Sequence, residues 1–348
     1  MSAPLPAILD YPMPSPPAPG TACAVAPGIR WLRMPLPFAL DHINLWVLED
    51  GEDITLVDTG YANAATRELW ERHFADTLGG RPVTSIVATH CHPDHLGNAA
   101  WIADRFGCRV TMTHGEFMSA HAIIDERAAH SPEDTCELFR LHGMSADDVR
   151  AQAERGNQYK RGVPVGPPSF DRIRDRDDVR AAGQDWRVIA GFGHSSEHAS
   201  LFADALGVLI AGDMLLPRIS TNVSVWPSDP NGDPLGRFLA SLTSFESLPP
   251  RTLVLPSHGL PFRGISMRIA QLRAHHDARL AELYDAIAAA SAPVSAADMV
   301  PVLFRRELDL QQRFFAMGEA IAHLNHLWHR RRIARLRAAD GSYRFVIQ

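Results

Sequence analysis

The sequence is poor in cysteine. Cys23, Cys91, Cys108 and Cys136 are the only four in 348 residues, too few and too scattered for a disulfide framework. No apolar run reaches the roughly 18 residues that a membrane-crossing helix needs. The N-terminus has no basic stretch followed by a continuous apolar run, so no secretory signal is read there. These absences predict a reduced, cytoplasmic protein with no membrane partner. A positive charge excess is missing as well: the formal net charge is −6, which argues against a general nucleic-acid binder. What remains is ordinary for a globular chain, with 46% hydrophobic and 21% charged residues and enough length for one large domain plus a small one.

The chemistry is concentrated in Thr89-His90-Cys91-His92-Pro93-Asp94-His95-Leu96-Gly97-Asn98. Ser85 to Ala88 reads as a short buried strand before it. Asn98 to Phe106 reads as a helix after it, stopped by Gly107. The motif therefore occupies a strand-to-helix loop, a common place for a ligand at the end of a sheet. His90 and His92 are two apart and point to the same side of an extended segment. Asp94 and His95 face away from that pair and suit a second cation, with Pro93 stiffening the turn between. Imidazole nitrogen and carboxylate oxygen are the ligands that zinc and similar cations take. Cys91, at the alternate position, reads as a packed thiol. Further candidates follow at other strand ends: Gly193-His194 after Trp186 to Ile189, Gly212-Asp213 after Leu206 to Ala211, and His258-Gly259 after Thr252 to Leu255. Convergence on one edge of a sheet sandwich is expected.

That ordered series resembles the metallo-β-lactamase superfamily, nearest to its glyoxalase II-like branch. Leu56-Val57-Asp58-Thr59-Gly60 fits the family's early strand and turn, and the resemblance runs from about Gly28 to Phe262. It implies an α/β fold, the αββα sandwich, holding two divalent cations, zinc first, with iron or manganese as alternatives. Carried over by position, His90, His92 and His194 would bind the first metal, and Asp94, His95 and His258 the second. Asp213 would bridge both, and Asp58 would support the His90 loop by hydrogen bonds. The implied enzyme is a hydrolase like hydroxyacylglutathione hydrolase. A bridging hydroxide, available because a bound metal lowers the pKa of water from about 15.7 to about 7, would attack a thioester, lactone or ester carbonyl. Asp94 would orient it and shuttle a proton.

The sequence departs from the family at Gly193-His194-Ser195-Ser196-Glu197-His198, where Glu197 replaces a usual glycine. A different turn is expected there, with His198 in a supporting role. No cysteine follows Cys136, which rules out the cysteine-ligated β-lactamases, and His92 stands where flavodiiron proteins carry Glu. His258 follows Asp213 by only 45 residues, too short for the nucleases with a domain inserted there. A phosphodiesterase or ribonuclease of the same fold, a mononuclear iron sulfur dioxygenase, and a metal-binding regulatory protein with little turnover stay open.

Three parts are read along the chain: an irregular arm over 1–27, a catalytic domain over 28–262, and a helical domain over 263–348. A helical insertion at 115–170, with helices expected at Phe117 to Ile124, Glu133 to Leu141 and Ala146 to Ala153, interrupts the strand rhythm. It is expected to form a lid or cleft wall, with Tyr159, Lys160 and Arg161 touching substrate. Arg218 and Asn222, just past Asp213, should line the cleft, with Arg218 holding a substrate carboxylate or phosphate. The last part reads as three helices and a hairpin, a small α+β domain resembling a winged helix. It carries 13 basic and 8 acidic residues, but Arg330-Arg331-Arg332 sit where a helix C-terminus favours cations anyway. The expected partner is a small-molecule substrate, with the C-terminal helices closing the cleft or forming a homodimer contact, and nucleic acid disfavoured.

Overall fold

The computed structural model describes residues 8–348; residues 1–7 of the expected arm lie outside the described residues. A seven-stranded sheet runs β1 (Cys23–Ala26), β2 (Ile29–Pro35), β3 (His42–Asp50), β4 (Asp53–Val57), β5 (Val83–Val87), β6 (Arg109–Thr113), β7 (Asp171–Ile173). Its first four strands form an antiparallel meander, and β4 to β7 are parallel. Parallel neighbours need crossovers. These are α1 (Ala64–Arg72), then α2 (Pro93–Leu96) with α3 (Ala99–Phe106), then the insertion: α4 (His114–Ile124), α5 (Pro132–Leu141), α6 (Ala146–Glu154) and α7 (Tyr159–Gly162).

The second sheet contains β8 (Asp178–Ala181), β9 (Gln184–Gly191), β10 (His198–Ala203), β11 (Val208–Gly212) and β12 (Leu253–Pro256), in the order β12-β11-β10-β9-β8. Only β11 and β12 pair in parallel there. Helices α8 (Pro234–Ser241) and α9 (Thr243–Glu246) join those two strands. Then come α10 (Ile265–Ala289), α11 (Ala296–Leu303), α12 (Leu310–His329) and a hairpin of β13 (Ile333–Arg337) and β14 (Tyr343–Ile347).

Strand alternation builds the layers. Trp31, Trp46 and Leu48 of the first sheet meet Trp186, Val188, Leu201 and Ile210 of the second. The intervening residues Leu32, Leu45 and Val47 turn outward onto Trp70, Ile102 and Ala120 of α1, α3 and α4. On the far side, Phe202 and Leu209 pack against Phe238, Leu272, Ile321 and Phe345. The result is the four-layer αββα sandwich, with the C-terminal helices sharing the outer core of the second sheet.

Two elements differ from the sequence reading. The arm ends in a strand, β1, pairing with β2 from Cys23 opposite Trp31. Its four small residues carry no alternation, so the partner edge decides their conformation, not their own pattern. The stretch from Ala62 to Leu78, which reads from the sequence as one helix ended by Gly79-Gly80, loosens into a wider turn at His73–Thr77. Ser131, Ser145, Ser295 and Asp309 cap α5, α6, α11 and α12. All four cysteines are free, and no described helix is long and apolar enough to cross a membrane.

Candidate metal centre

The C-terminal ends of β4, β5, β9, β11 and β12 open onto one end of the sandwich. The chain must turn sharply there. Gly212 has φ +54°, and a Cβ on it would lie 2.2 Å from His198 Nε2, so no other residue lets Asp213 pass beside that ring. His90 Nε2 lies 2.9 Å from His92 Nδ1 and 3.1 Å from His194 Nε2. His258 Nε2 lies 3.4 Å from Asp94 Oδ2, and His95 Nε2 3.7 Å from the same oxygen. Asp213 stands between the two groups. Its Oδ2 is 3.4 Å from His194 Nε2, while its Oδ1 is 3.5 Å from His258 Nε2 and 3.6 Å from His95 Nε2.

The remaining atoms of these rings are committed elsewhere. Asp58 Oδ2 accepts hydrogen bonds from His95 Nδ1 at 2.7 Å and from the Thr89 hydroxyl at 2.8 Å. That hydroxyl in turn accepts from His90 Nδ1 at 3.0 Å. Asp58 therefore sets His95 directly as well as the His90 loop. It does so from a left-handed backbone position, φ +63°. His194 Nδ1 donates to the Asn222 carbonyl and His258 Nδ1 to the His42 carbonyl, both at 2.7 Å. This network commits Nδ1 of His90, His95, His194 and His258 and turns their Nε2 inward. His95 Nε2 and Asp213 Oδ1 are buried without a hydrogen-bond partner among the described residues. Two such atoms pointed at one another are costly, and a shared cation would satisfy both. The donor set fits divalent metal.

The electrostatics divide the centre. Burial and the surrounding imidazoles push His90 well below its usual range, and burial with His194 lowers His92 to about 3. Burial works against a proton on His95 and His258 too, but the carboxylates win. Asp58, Asp94 and Asp213 hold His95 up to about 9, and Asp213 and Asp94 hold His258 well above the ordinary imidazole value. Burial favours the neutral forms of Asp94 and Asp213, yet the facing His95 and His258 keep both carboxyls low.

With this geometry in place, known proteins can be set beside the chain. A sequence profile described as the metallo-beta-lactamase superfamily matches residues 39–258. The chain belongs to the metallo-beta-lactamase superfamily. Residues 280–348 match the metallo-beta-lactamase-like C-terminal domain. A crystal structure of a beta-lactamase domain protein from Burkholderia ambifaria is 47% identical, covers 98% of each chain, and superposes with a TM-score of 0.90. A metallo-beta-lactamase family protein from Thermus thermophilus is 31% identical over 93% of this chain and all of its own, with a TM-score of 0.78. Among curated proteins, "Probable metallo-hydrolase YqjP" of Bacillus subtilis is 24% identical over 85% of this chain and 91% of its own length. The hydroxyacylglutathione hydrolase of Haemophilus ducreyi is 22% identical over 70% of this chain and 77% of its own.

All seven motif side chains singled out in this metallo-beta-lactamase superfamily sequence converge, and the supporting residues sit behind them. His198 Nε2 accepts from the Asp213 amide at 3.1 Å. Cys91 is buried, its thiol pushed well above the usual range by burial and by Glu116. The substrate candidates fare differently. The Tyr159 hydroxyl, expected on a lid, donates to the Cys91 carbonyl at 2.6 Å and so fastens the insertion to the His90 loop. Lys160 and Arg161 are exposed on α7. Arg218 is exposed and lines a small pocket of about 290 Å³ with Ser220, Arg268 and His275. Asn222 serves His194 through its carbonyl.

Sequence reasoning missed Glu116. This fully buried carboxylate accepts from the amides of Cys91 at 2.8 Å and Glu197 at 2.6 Å, tying the His90 loop to the His194 loop. Glu197 answers with its own side chain, which accepts from the Gly115 amide at 2.9 Å. The departure from glycine at 197 thus adds a tether. The available signal was an acid in the first turn of the helix after β6, which runs parallel to β5 and ends at the same edge. At the start of β3, where the sequence allows Asp41 to Asn44 to approach the metal edge, the Asn44 amide donates to the Pro256 and Gly259 carbonyls at 2.8 and 2.9 Å, fixing the His258 turn.

Proposed function

We propose that this chain is a metal-dependent hydrolase of a small-molecule substrate with an ester-like carbonyl: a thioester, lactone or ester. The observation that carries the reading is Asp213, whose two oxygens face two separate groups of ligands. His90, His92 and His194 would hold one divalent cation, Asp94, His95 and His258 a second, with zinc foremost and Asp213 shared. Bound there, the cations supply an acidified water as nucleophile and a Lewis acid for the carbonyl. This chain's own residues do the rest. Asp58, the Asn222 carbonyl and the His42 carbonyl keep each ring in the tautomer that presents Nε2. Asp94, with a side chain 17% exposed against 10% for Asp213, reaches solvent most readily of the two carboxylates. It would accept a hydrogen bond from the attacking water and pass that proton to the leaving group. The names of the Bacillus and Haemophilus relatives point the same way, to a metallo-hydrolase and a thioester.

A panel of thioester, lactone, ester and bis-nitrophenyl phosphate substrates, assayed with zinc and with chelator, tests the reading. Chelator-sensitive turnover of a carbonyl substrate is expected. Turnover of the phosphodiester alone would move the protein to the nuclease side of the fold. Stoichiometric metal without any turnover would make it a metal-binding regulator.

A further inference from the structure

The C-terminal helix α12 reaches the metal centre through one polar chain. It starts at His194, whose Nδ1 donates to the Asn222 carbonyl at 2.7 Å. The Asn222 side chain faces the other way. Its Nδ2 donates to Glu319 Oε2 at 3.4 Å, and its Oδ1 accepts from the Ser224 hydroxyl at 2.8 Å. Ser224 lies directly on α12: a Cβ on Gly318 would come within 2.7 Å of its oxygen. The next residue, Val225, donates its amide to the Gly318 carbonyl at 3.2 Å. At the front of the same segment, the Thr221 hydroxyl donates to the Asp213 carbonyl at 2.5 Å. Residues 221–225 are therefore fastened to a shared ligand at one end, to His194 in the middle and to Gly318-Glu319 at the other end.

We propose that Glu319 is a positioning residue of the metal centre, holding His194 through Asn222. The proposal rests on the function argued above. Glu319 is mostly enclosed yet has no ion pair among the described residues, and burial raises its carboxyl to about 7. A carboxyl in such a place costs stability that a leucine would not. Packing alone gives no reason to keep it. Anchoring the Asn222 side chain does, because it steadies the backbone of the residue whose main-chain carbonyl accepts from His194 Nδ1. Groups that orient a metal-bound histidine typically contribute about 10- to 100-fold to metal affinity.

The test compares wild type, Glu319→Leu, Glu319→Gln and Asn222→Ala as full-length protein. Zinc affinity is read by competition with a chromogenic chelator, and coordination by the ligand-field spectrum of the cobalt(II) form. Glu319→Leu and Asn222→Ala should each weaken the first cation about 10- to 100-fold and change the cobalt spectrum. Glu319→Gln, which keeps an acceptor oxygen, should restore most of the affinity. The double variant should lose little more than either single one. Wild-type affinity and an unchanged spectrum in Glu319→Leu, or fully additive losses in the double variant, would overturn the proposal. Should Glu319→Leu fail to fold, the Glu319→Gln and Asn222→Ala pair decides alone: equal loss in both overturns it. Wild-type protein that binds no cation would overturn the proposed function itself, and this inference with it.

Discussion

The two halves of the metal centre use similar ligands under opposite electrostatics. His90, His92 and His194 form an all-imidazole half in which burial keeps His90 and His92 unprotonated. His95 and His258 form the other half with Asp94, and facing carboxylates hold protons on them. At neutral pH His90 and His92 offer open lone pairs to a cation, whereas one reaching His95 and His258 must displace protons. The difference comes from what stands behind the rings. His90 rests on the Thr89 hydroxyl; His95 rests on the Asp58 carboxylate and also faces Asp94 and Asp213.

Asp213→Ala removes the one side chain the halves share, so it should have the largest effect. Activity should fall by at least about 10³-fold, several kcal/mol of lost charge stabilisation, and elemental analysis should show depletion of both cations. His92→Ala and His258→Ala should each empty one half and leave the other loaded. Equal loss of both cations in either variant would mean that the halves are not separable. Next comes pH. Metal-free protein should gain stability from His95 in full below pH 6.5, its ordinary value, and lose that gain as pH rises through about 9, its folded value. Melting temperature measured from pH 6 upward in chelator should fall accordingly, and zinc should flatten the slope. The smallest effect belongs to Tyr159→Phe. It removes one hydrogen bond to the Cys91 carbonyl, about 0.5–1.5 kcal/mol of stability, with cation content unchanged. A change in substrate choice instead would restore Tyr159 to the cleft.

What the sequence disclosed and what it hid follow the same division between ligands and their supports. The seven convergent side chains were legible because each follows an apolar strand into a tight turn, and because their order matches a known family. The sandwich was legible through the same resemblance and the alternation along β2 and β3. Glu116 was not, since the amides it accepts from lie 25 and 81 residues away, and an acid in a first helical turn does not by itself name a distant backbone donor. Glu319 meets Asn222 across 97 residues. Periodicity located the helices of the insertion correctly but carried no information on what they press against. The insertion is tied to the His90 loop through Glu116 and Tyr159, contacts that no local pattern announces.

The central claim is that Asp213 separates two cation positions. Anomalous scattering at the zinc edge from zinc-soaked crystals tests it most directly. Two peaks are predicted, one among His90, His92 and His194 and one among Asp94, His95 and His258, with an Asp213 oxygen against each. A single peak, or peaks away from Asp213, would contradict it.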